Sequence, residues 1–142
     1  MIGLDCNILV QLALADHPAN AATVSAVNAQ VQAGRRLMVP SSMVTEFLHV
    51  VTDQRRFAPP LTMNEALDWT KDFLAQPGVN VIEASQKALE QTLVWMRLYK
   101  LGRKRILDTH LAAIFHTNGI SRLLTSNPAD FGIFGVIQAV AP

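Results

Sequence analysis

The stretch that decides the predicted fold is Ile2-Gly3-Leu4-Asp5, at the start of the chain. Three apolar residues that end abruptly at an acidic one are typical of a short buried strand whose end lies at the edge of a sheet. Asn7 is a good capping residue and predicts a helix over residues 8–15. The chain is therefore expected to begin with a strand that leads directly into a helix, with a carboxylate at the junction.

The alternation of strand and helix continues along the chain. Apolar runs bounded by turn residues predict further strands at residues 36–39, 79–82, 121–124 and 136–139. Apolar residues at helical spacing predict helices at residues 18–33, 41–51, 63–76, 86–99 and 108–116. Thr62 and Glu65 form a capping box before the helix at 63–76. The inner face of the helix at 86–99 is expected to carry Leu89, Leu93, Met96 and Leu98. Strands that alternate with helices imply a parallel sheet covered on both faces.

Composition favours one folded domain that spans residues 1–142. Half of the residues are apolar and only 16% are charged, which argues against disorder. The single cysteine, Cys6, excludes an internal disulfide and suggests a reducing compartment. No apolar run approaches the length of a membrane span, and no signal peptide begins the chain. We therefore expect a soluble, cytoplasmic protein.

Polar side chains follow several of the predicted strands. Asp5 follows the first strand, and Thr125 and Asn127 follow the fourth. Glu46 lies early in the helix after the second strand, and Asp108 begins the helix that leads into the fourth strand. Ligands of open parallel sheets bind beyond the carboxyl ends of the strands. All of these side chains are therefore expected to meet at one edge of the sheet.

Three carboxylates in one place predict a cation among them. Like charges a few ångströms apart raise one another's pKa unless a cation compensates them. Oxygen ligands select Mg²⁺ or Mn²⁺. Such an ion can lower the pKa of a bound water and stabilise charge on a phosphodiester. The cluster thus indicates a metal-dependent hydrolase of phosphodiesters.

Four segments resemble, in order and spacing, the motifs of PIN-domain proteins: LDCNIL at 4–9, SMVTEF at 42–47, ILDTHLAA at 106–113 and LTSNPADF at 124–131. The resemblance covers essentially the whole chain, whose length and layout are most similar to VapC-type toxins of toxin–antitoxin pairs. It implies a three-layer α/β/α sandwich with a central parallel sheet. It also implies an endoribonuclease dependent on Mg²⁺ or Mn²⁺, a homodimer and a small antitoxin partner.

The resemblance also assigns roles to individual acids. Asp5, Glu46 and Asp108 match the acids of the family's metal site, with Asp5 and Asp108 as the expected ligands. The fourth position falls on Asn127, where many relatives have aspartate. An amide oxygen can ligate but brings no charge, so either Asp130 supplies that charge or the site works with three acids.

Other residues near these motifs have weaker assignments. Asn7 and Thr125 match polar positions that line the site in the family. Cys6 stands where relatives often have a small polar residue, and we interpret it as a packed small residue. His49 and His110 lie near the acids in sequence, and a structural or supporting role suits them better than ligation.

RNA binding requires cations around an acidic site. Arg103, Lys104 and Arg105 immediately precede the Asp108 helix and are the expected phosphate contacts. The net charge of +1 does not by itself indicate nucleic-acid binding, and a solvated surface loop is the alternative. Should the loop contact an antitoxin instead, the next candidates for RNA binding are Arg35, Arg36, Arg55 and Arg56.

Two other functions are compatible with parts of this pattern. A non-catalytic RNA- or protein-binding module with the same fold is favoured by Asn127 at the fourth position and opposed by the three retained acids. A phospho-accepting receiver domain also has an aspartate after its first strand. This chain lacks the paired acids there and the lysine after the last strand that a receiver needs.

Overall fold

The computed structural model describes all 142 residues and contains one parallel sheet of five strands. The strands are β1 (Ile2–Leu4), β2 (Leu37–Pro40), β3 (Val79–Ile82), β4 (Arg122–Leu124) and β5 (Gln138–Val140). They lie in the order β3-β2-β1-β4-β5, and every neighbouring pair is parallel. The predicted parallel α/β fold is confirmed.

Six α-helices connect the strands and cover the sheet. They are α1 (Cys6–Ala13), α2 (Asn20–Gln32), α3 (Ser41–Val51), α4 (Met63–Leu74), α5 (Gln86–Leu98) and α6 (Ile106–Thr117). Helices α1 to α4 pack on one another, and α5 packs on α6. With right-handed crossovers these two groups cover opposite faces of the sheet, which produces three layers. No helix combines the length and apolar character needed to cross a membrane.

The order of the strands reverses between β1 and β4, the two central neighbours. β1 pairs with β2 on one side and with β4 on the other. The backbone N–H of Asp5 donates to the carbonyl of Leu124 at 3.1 Å, so the segments that follow β1 and β4 begin side by side. A crevice at such a reversal is the usual ligand site of an open parallel sheet.

Close packing of α6 on the sheet depends on Gly3 in β1. A Cβ atom at Gly3 would lie 2.5 Å from the ring of Phe115, which is fully buried. A larger residue at this position would force the ring of Phe115 to move.

Several predicted boundaries are corrected by the structure. Helix α1 begins at Cys6, so Asp5 and not Asn7 takes the N-cap position. The amide of Asn7 instead bonds to side chains and backbone near β4. Helix α6 begins at Ile106, which places Asp108 in its first turn and not at its cap. The Thr62 capping box before α4 is confirmed.

The predicted inner face of α5 is wrong. The buried side chains of this helix are Ala88, Thr92 and Trp95. The predicted inner residues that are more than half exposed are Leu89, Leu93 and Leu98. Both sets have helical spacing, so periodicity alone did not distinguish them. The distinction comes from Trp95, whose ring packs on that of Phe134 with centroids 4.8 Å apart.

Candidate active site

A cleft of about 270 Å³ opens where β1 and β4 end. Its wall contains the three predicted acids Asp5, Glu46 and Asp108, together with Asn7 and Asn127. These side chains come from the start of α1, from α3, from the first turn of α6 and from the segment after β4. The fold therefore brings together residues that are more than 120 positions apart in the chain.

Asp5 is held by neutral hydrogen-bond donors. Its Oδ2 atom accepts from the hydroxyl of Thr125 at 2.6 Å and from the side-chain amide of Asn7 at 2.8 Å. The Asn7 Oδ1 atom accepts in turn from the backbone N–H of Ser126 at 3.1 Å. The hydroxyl of Thr125 also accepts from the N–H of Asn127 at 3.1 Å. One network therefore fixes both the acid and the segment that carries Asn127.

The pKa of each of the three acids is raised above its ordinary value. Burial is the largest cause for Asp5, and the hydrogen bond from Thr125 opposes it. Burial also raises the pKa of Glu46, and the charges of Asp5 and Asp108 raise it further. The pKa of Asp108 is raised first by burial and then by Asp130, while Arg105 opposes the shift. The chain thus holds these acids in an arrangement that disfavours their charged forms.

Cys6 lies in the wall of the cleft and is only 5% exposed. Burial is the main cause that raises the pKa of its thiol, and the negative charges of Glu46 and Asp5 add to the effect. The thiol is therefore protonated at neutral pH. Because nucleophilic attack requires a thiolate, Cys6 is a packed neutral residue here and not a nucleophile.

Asp130 has a different environment from the three acids of the cleft. It lies in the short 3₁₀ turn Pro128–Asp130 and does not line the cleft. Its carboxylate accepts from the Arg105 guanidinium at 2.8 Å, and its carbonyl oxygen accepts from the same group. The Nε atom of Arg105 is also 3.8 Å from a carboxylate oxygen of Asp108. Arg105 therefore pairs closely with Asp130 and lies at a longer distance from Asp108, whose raised pKa it opposes without cancelling the shift.

The predicted basic loop forms a 3₁₀ turn, Arg103–Arg105, directly before α6. Arg103 and Lys104 are exposed, whereas Arg105 is half-buried. The exposed pair is available to a ligand next to Asp108, while Arg105 already has partners within the chain.

Gln11 lines the cleft and is only 7% exposed, but the sequence analysis does not predict it as a site residue. Its Nε2 atom donates to the hydroxyl of Ser126 at 2.7 Å, and its Oε1 atom accepts from the hydroxyl of Thr23 at 2.6 Å. Gln11 thereby connects α1 and α2 to the segment after β4. The available signal was its position four residues after Asn7, on the same face of α1.

The cleft also contains His17 and Arg56, which come from the connections after α1 and after α3. No local pattern points to them, because only the packing of these connections brings them to the acids. The two histidines considered from the sequence lie elsewhere. His49 is exposed, and the His110 ring bonds to the hydroxyl of Thr92 at 2.9 Å; neither lines the cleft.

Residues 2–131 match the PIN domain. The chain belongs to the PIN-domain family. This match covers most of the chain and includes all four motifs on which the resemblance rested. No curated protein sequence matches the chain.

Solved structures of PIN-fold toxins are similar over nearly their whole length. VapC20 of Mycobacterium tuberculosis, a toxin that cleaves the sarcin–ricin loop, superposes with a TM-score of 0.67 at 13% identity, covering 97% of this chain and 98% of its own. VapBC2 from Rickettsia felis, bound to a promoter DNA fragment, superposes with a TM-score of 0.71 at 15% identity. The match covers 100% of this chain and 99% of that one. A toxin–antitoxin complex from Klebsiella pneumoniae superposes with a TM-score of 0.66 at 18% identity. The match covers 99% of this chain and 96% of that one. At these identities the likeness concerns the fold.

The acids of this PIN domain suit a hard divalent cation. They present only carboxylate oxygens, and burial together with their mutual repulsion raises their pKa values, so the surrounding chain compensates their charge only in part. No three His, Cys, Asp or Glu side chains converge on one point closely enough to ligate an ion as they stand. Mg²⁺ commonly binds through one or two carboxylates and keeps several waters. The carboxylate donor set therefore fits a hard ion such as Mg²⁺ or Mn²⁺.

Proposed function

We propose that this PIN domain is a metal-dependent endoribonuclease and the toxin of a toxin–antitoxin pair, active in the cytoplasm. The observation that carries the proposal is the convergence of Asp5, Glu46 and Asp108 on one cleft with their pKa values raised. A protein that only bound RNA would gain nothing from three clustered carboxylates facing a phosphate backbone.

In this proposal Asp5 and Asp108 would hold one Mg²⁺ or Mn²⁺ ion. When bound, the ion supplies positive charge to the phosphodiester and acidifies the attacking water. Asn7 and Thr125 hold the Asp5 carboxylate in place through their hydrogen bonds. Asn127 lies at the fourth position and offers a neutral amide oxygen.

Glu46 is the proposed general base. Its pKa is raised by burial and by the other two acids. A base whose pKa moves toward the operating pH accepts a proton more effectively while it remains ionised. Glu46 would therefore take the proton of the attacking water, and the leaving oxygen would acquire its proton from solvent.

Substrate contacts are proposed for the exposed rim. Arg103 and Lys104 are exposed directly before the helix that carries Asp108, so they can pair with RNA phosphates on either side of the scissile bond. Arg105, which pairs with Asp130, acts instead by holding the acids in position. Replacement of Arg103 and Lys104 by Ala should therefore flatten the salt dependence of RNA binding, whereas Arg35→Ala/Arg36→Ala, a matched control, should not.

A homodimer and an antitoxin complete the proposal. The exposed side of α5 carries Leu89, Leu93, Val94 and Leu98, all more than half exposed. A contiguous apolar face of this kind suits burial against a second copy. The proposal of an antitoxin partner is supported by the structurally similar proteins that were solved as toxin–antitoxin complexes.

The decisive experiment measures cleavage of a mixed single-stranded RNA pool by the purified chain. Cleavage should occur with Mg²⁺ or Mn²⁺, stop in EDTA, and be absent in Asp108→Asn although that variant is folded. Undiminished cleavage in EDTA would contradict the metal mechanism.

The second candidate is a non-catalytic RNA-binding module, which Asn127 at the fourth position favours. It predicts RNA binding that Asp108→Asn strengthens, with no cleavage by the wild-type chain under any metal. Cleavage that requires Asp108 excludes it.

A further inference from the structure

A cavity of about 640 Å³ adjoins the acidic cleft and has no role in the function proposed above. It lies between the connection from α1 to α2, residues 13–18, and the segment from α3 to α4, residues 57–61. His17 lines both this cavity and the acidic cleft. Arg56 lines the cleft, and its chain neighbour Phe57 lines the cavity. The two spaces therefore share one wall, with a cation on the side of the acids and an aromatic ring on the other side.

The lining of the cavity suits a flat, neutral group. Phe57 and His17 supply aromatic rings, and the apolar surface comes from Leu14, Pro18, Pro59, Pro60 and Leu61. The volume lies within the range of about 300–1,000 Å³ that is typical of small-molecule pockets. Such a lining offers stacking and apolar contact.

Charge determines which part of a nucleic acid can enter. Asp16 and Glu65 border the cavity and no lysine or arginine lines it, so a phosphate would be repelled there. Arg56 is at the cleft side, more than half exposed, and its pair with Asp53 at 3.7 Å is a weak surface contact. A backbone that passed Arg56 toward the acids would therefore have room to direct a base, but not a phosphate, into the cavity.

We propose that the cavity binds one unstacked base of the single-stranded RNA whose backbone crosses the acidic cleft. This inference rests on the proposed RNA substrate and adds a specificity-determining subsite to it. Phe57 and His17 stack on the base, Arg56 pairs with the phosphate next to it, and Asp16 accepts from an exocyclic amino group. The nuclease then selects its cleavage site by the base that lies next to the scissile bond.

The experiment is a double-mutant cycle between Phe57 and the RNA. Single-stranded oligonucleotides carry one abasic position at each place around the preferred cleavage site, and kcat/KM is measured with Mg²⁺. In the wild-type chain, one abasic position should lower kcat/KM by about five- to a hundredfold, the range expected for one base–aromatic stack. Phe57→Leu should lower kcat/KM for the intact RNA similarly and lose sensitivity to that position, whereas Phe57→Tyr should keep it.

Phe73→Leu is the matched control. Phe73 is also a half-buried aromatic residue, but it stacks on Trp69 and lines a different cavity. This variant should keep the sensitivity to the abasic position. If the abasic positions affect Phe57→Leu as much as the wild type, or if Phe57→Leu weakens only the binding of a protein inhibitor, the base subsite is wrong.

Binding measurements separate this inference from the proposed nuclease activity. The same oligonucleotides are titrated by fluorescence anisotropy in EDTA, where no cleavage is expected. Position-specific coupling to Phe57 without any cleavage in Mg²⁺ would keep the subsite and overturn the nuclease. Metal-dependent cleavage without such coupling in either assay would do the reverse.

Discussion

Asp5 and Asp130 are both aspartates, one in the acidic cleft and one beside it, and their partners differ. Asp5 is held by the neutral donors Asn7 and Thr125, and burial raises its pKa. Asp130 is half-exposed and pairs with the Arg105 guanidinium at 2.8 Å. The charge of Asp130 is therefore compensated within the chain, and that of Asp5 is not.

This difference indicates where a cation would bind most favourably. A cation binds less favourably at a carboxylate that already has a close guanidinium partner. At a carboxylate without one, the cation adds attraction and also relieves the repulsion from neighbouring acids. The metal is therefore expected between Asp5 and Asp108, with Asp130 acting through Arg105. The following experiments test this division, from the largest expected effect to the smallest.

The largest effect is expected for Asp5→Asn. The change removes an uncompensated charge and keeps the shape of the side chain, so the rate of RNA cleavage should fall by about a thousandfold or more. The melting temperature in EDTA should stay the same or rise, because repulsion with Glu46 is relieved. Loss of activity together with a lower melting temperature would instead give Asp5 a structural role.

A smaller effect is expected for Asp130→Asn. Arg105 loses its close partner and can approach Asp108 more closely than its present 3.8 Å, so Mg²⁺ affinity and cleavage should fall by about ten- to a hundredfold, as for other residues that orient metal ligands. Asn127→Ala should cost less, because it removes no charge. Isothermal titration with Mn²⁺ measures the affinity.

The double variant Asp130→Asn/Arg105→Met sharpens this test. Without the guanidinium nothing competes for Asp108, so affinity should return toward the wild-type value. If the double variant is as weak as Asp130→Asn, release of Arg105 does not explain the loss, and the division between the two acids fails.

The pH dependence of stability should show the effect of the clustered acids in the cleft directly. Because the folded-state pKa of Glu46 is raised, the folded chain binds more protons than the unfolded chain at pH values above the ordinary pKa of Glu. The free energy of unfolding should therefore fall as pH rises from about 4.5 toward the raised pKa. Glu46→Gln should flatten this fall when both chains are unfolded with urea in EDTA. Parallel curves for the two chains would contradict the prediction.

The smallest effect on activity is expected for Gln11→Met. This change removes both side-chain hydrogen bonds of Gln11, to Ser126 and to Thr23. Without the first of them the segment with Asn127 is held less firmly, and kcat should fall a few-fold. Thr23→Val is the control, because it removes the other bond of Gln11 and leaves the Ser126 contact. Both variants should lose stability, by roughly 1–3 kcal/mol where a buried polar group loses its partner. Equal activity of the two variants would show that Gln11 is only structural.

The acids were predictable because each has a local signal that survives folding. Asp5 follows a buried strand, and parallel strands end at a common edge, so the position of the acid in the sheet follows from the chain order. The same reasoning applied to Glu46 and Asp108, although Asp108 proved to lie inside the first turn of α6. The residues His17 and Arg56 had no such signal, because they lie on connections whose path depends on packing.

The inner face of α5 illustrates the limit of periodicity. Leu93 and Trp95 both lie on apolar stripes of this helix, and only Trp95 is buried. When half of a chain is apolar, a helix can carry two apolar faces, and the pattern does not identify the one that meets the sheet.

The sequence by itself determined the alternation of strands and helices, the parallel sheet and the three acids at its edge. These features depend on short-range patterns and on the rule that successive parallel strands end at one side. Only the tertiary structure decided that Arg105 pairs with Asp130, that Gln11 supports the segment after β4, and that His17 joins the acidic cleft to a second cavity. Each of these depends on distances between residues far apart in the chain, which the packing of the helices sets and no local pattern encodes.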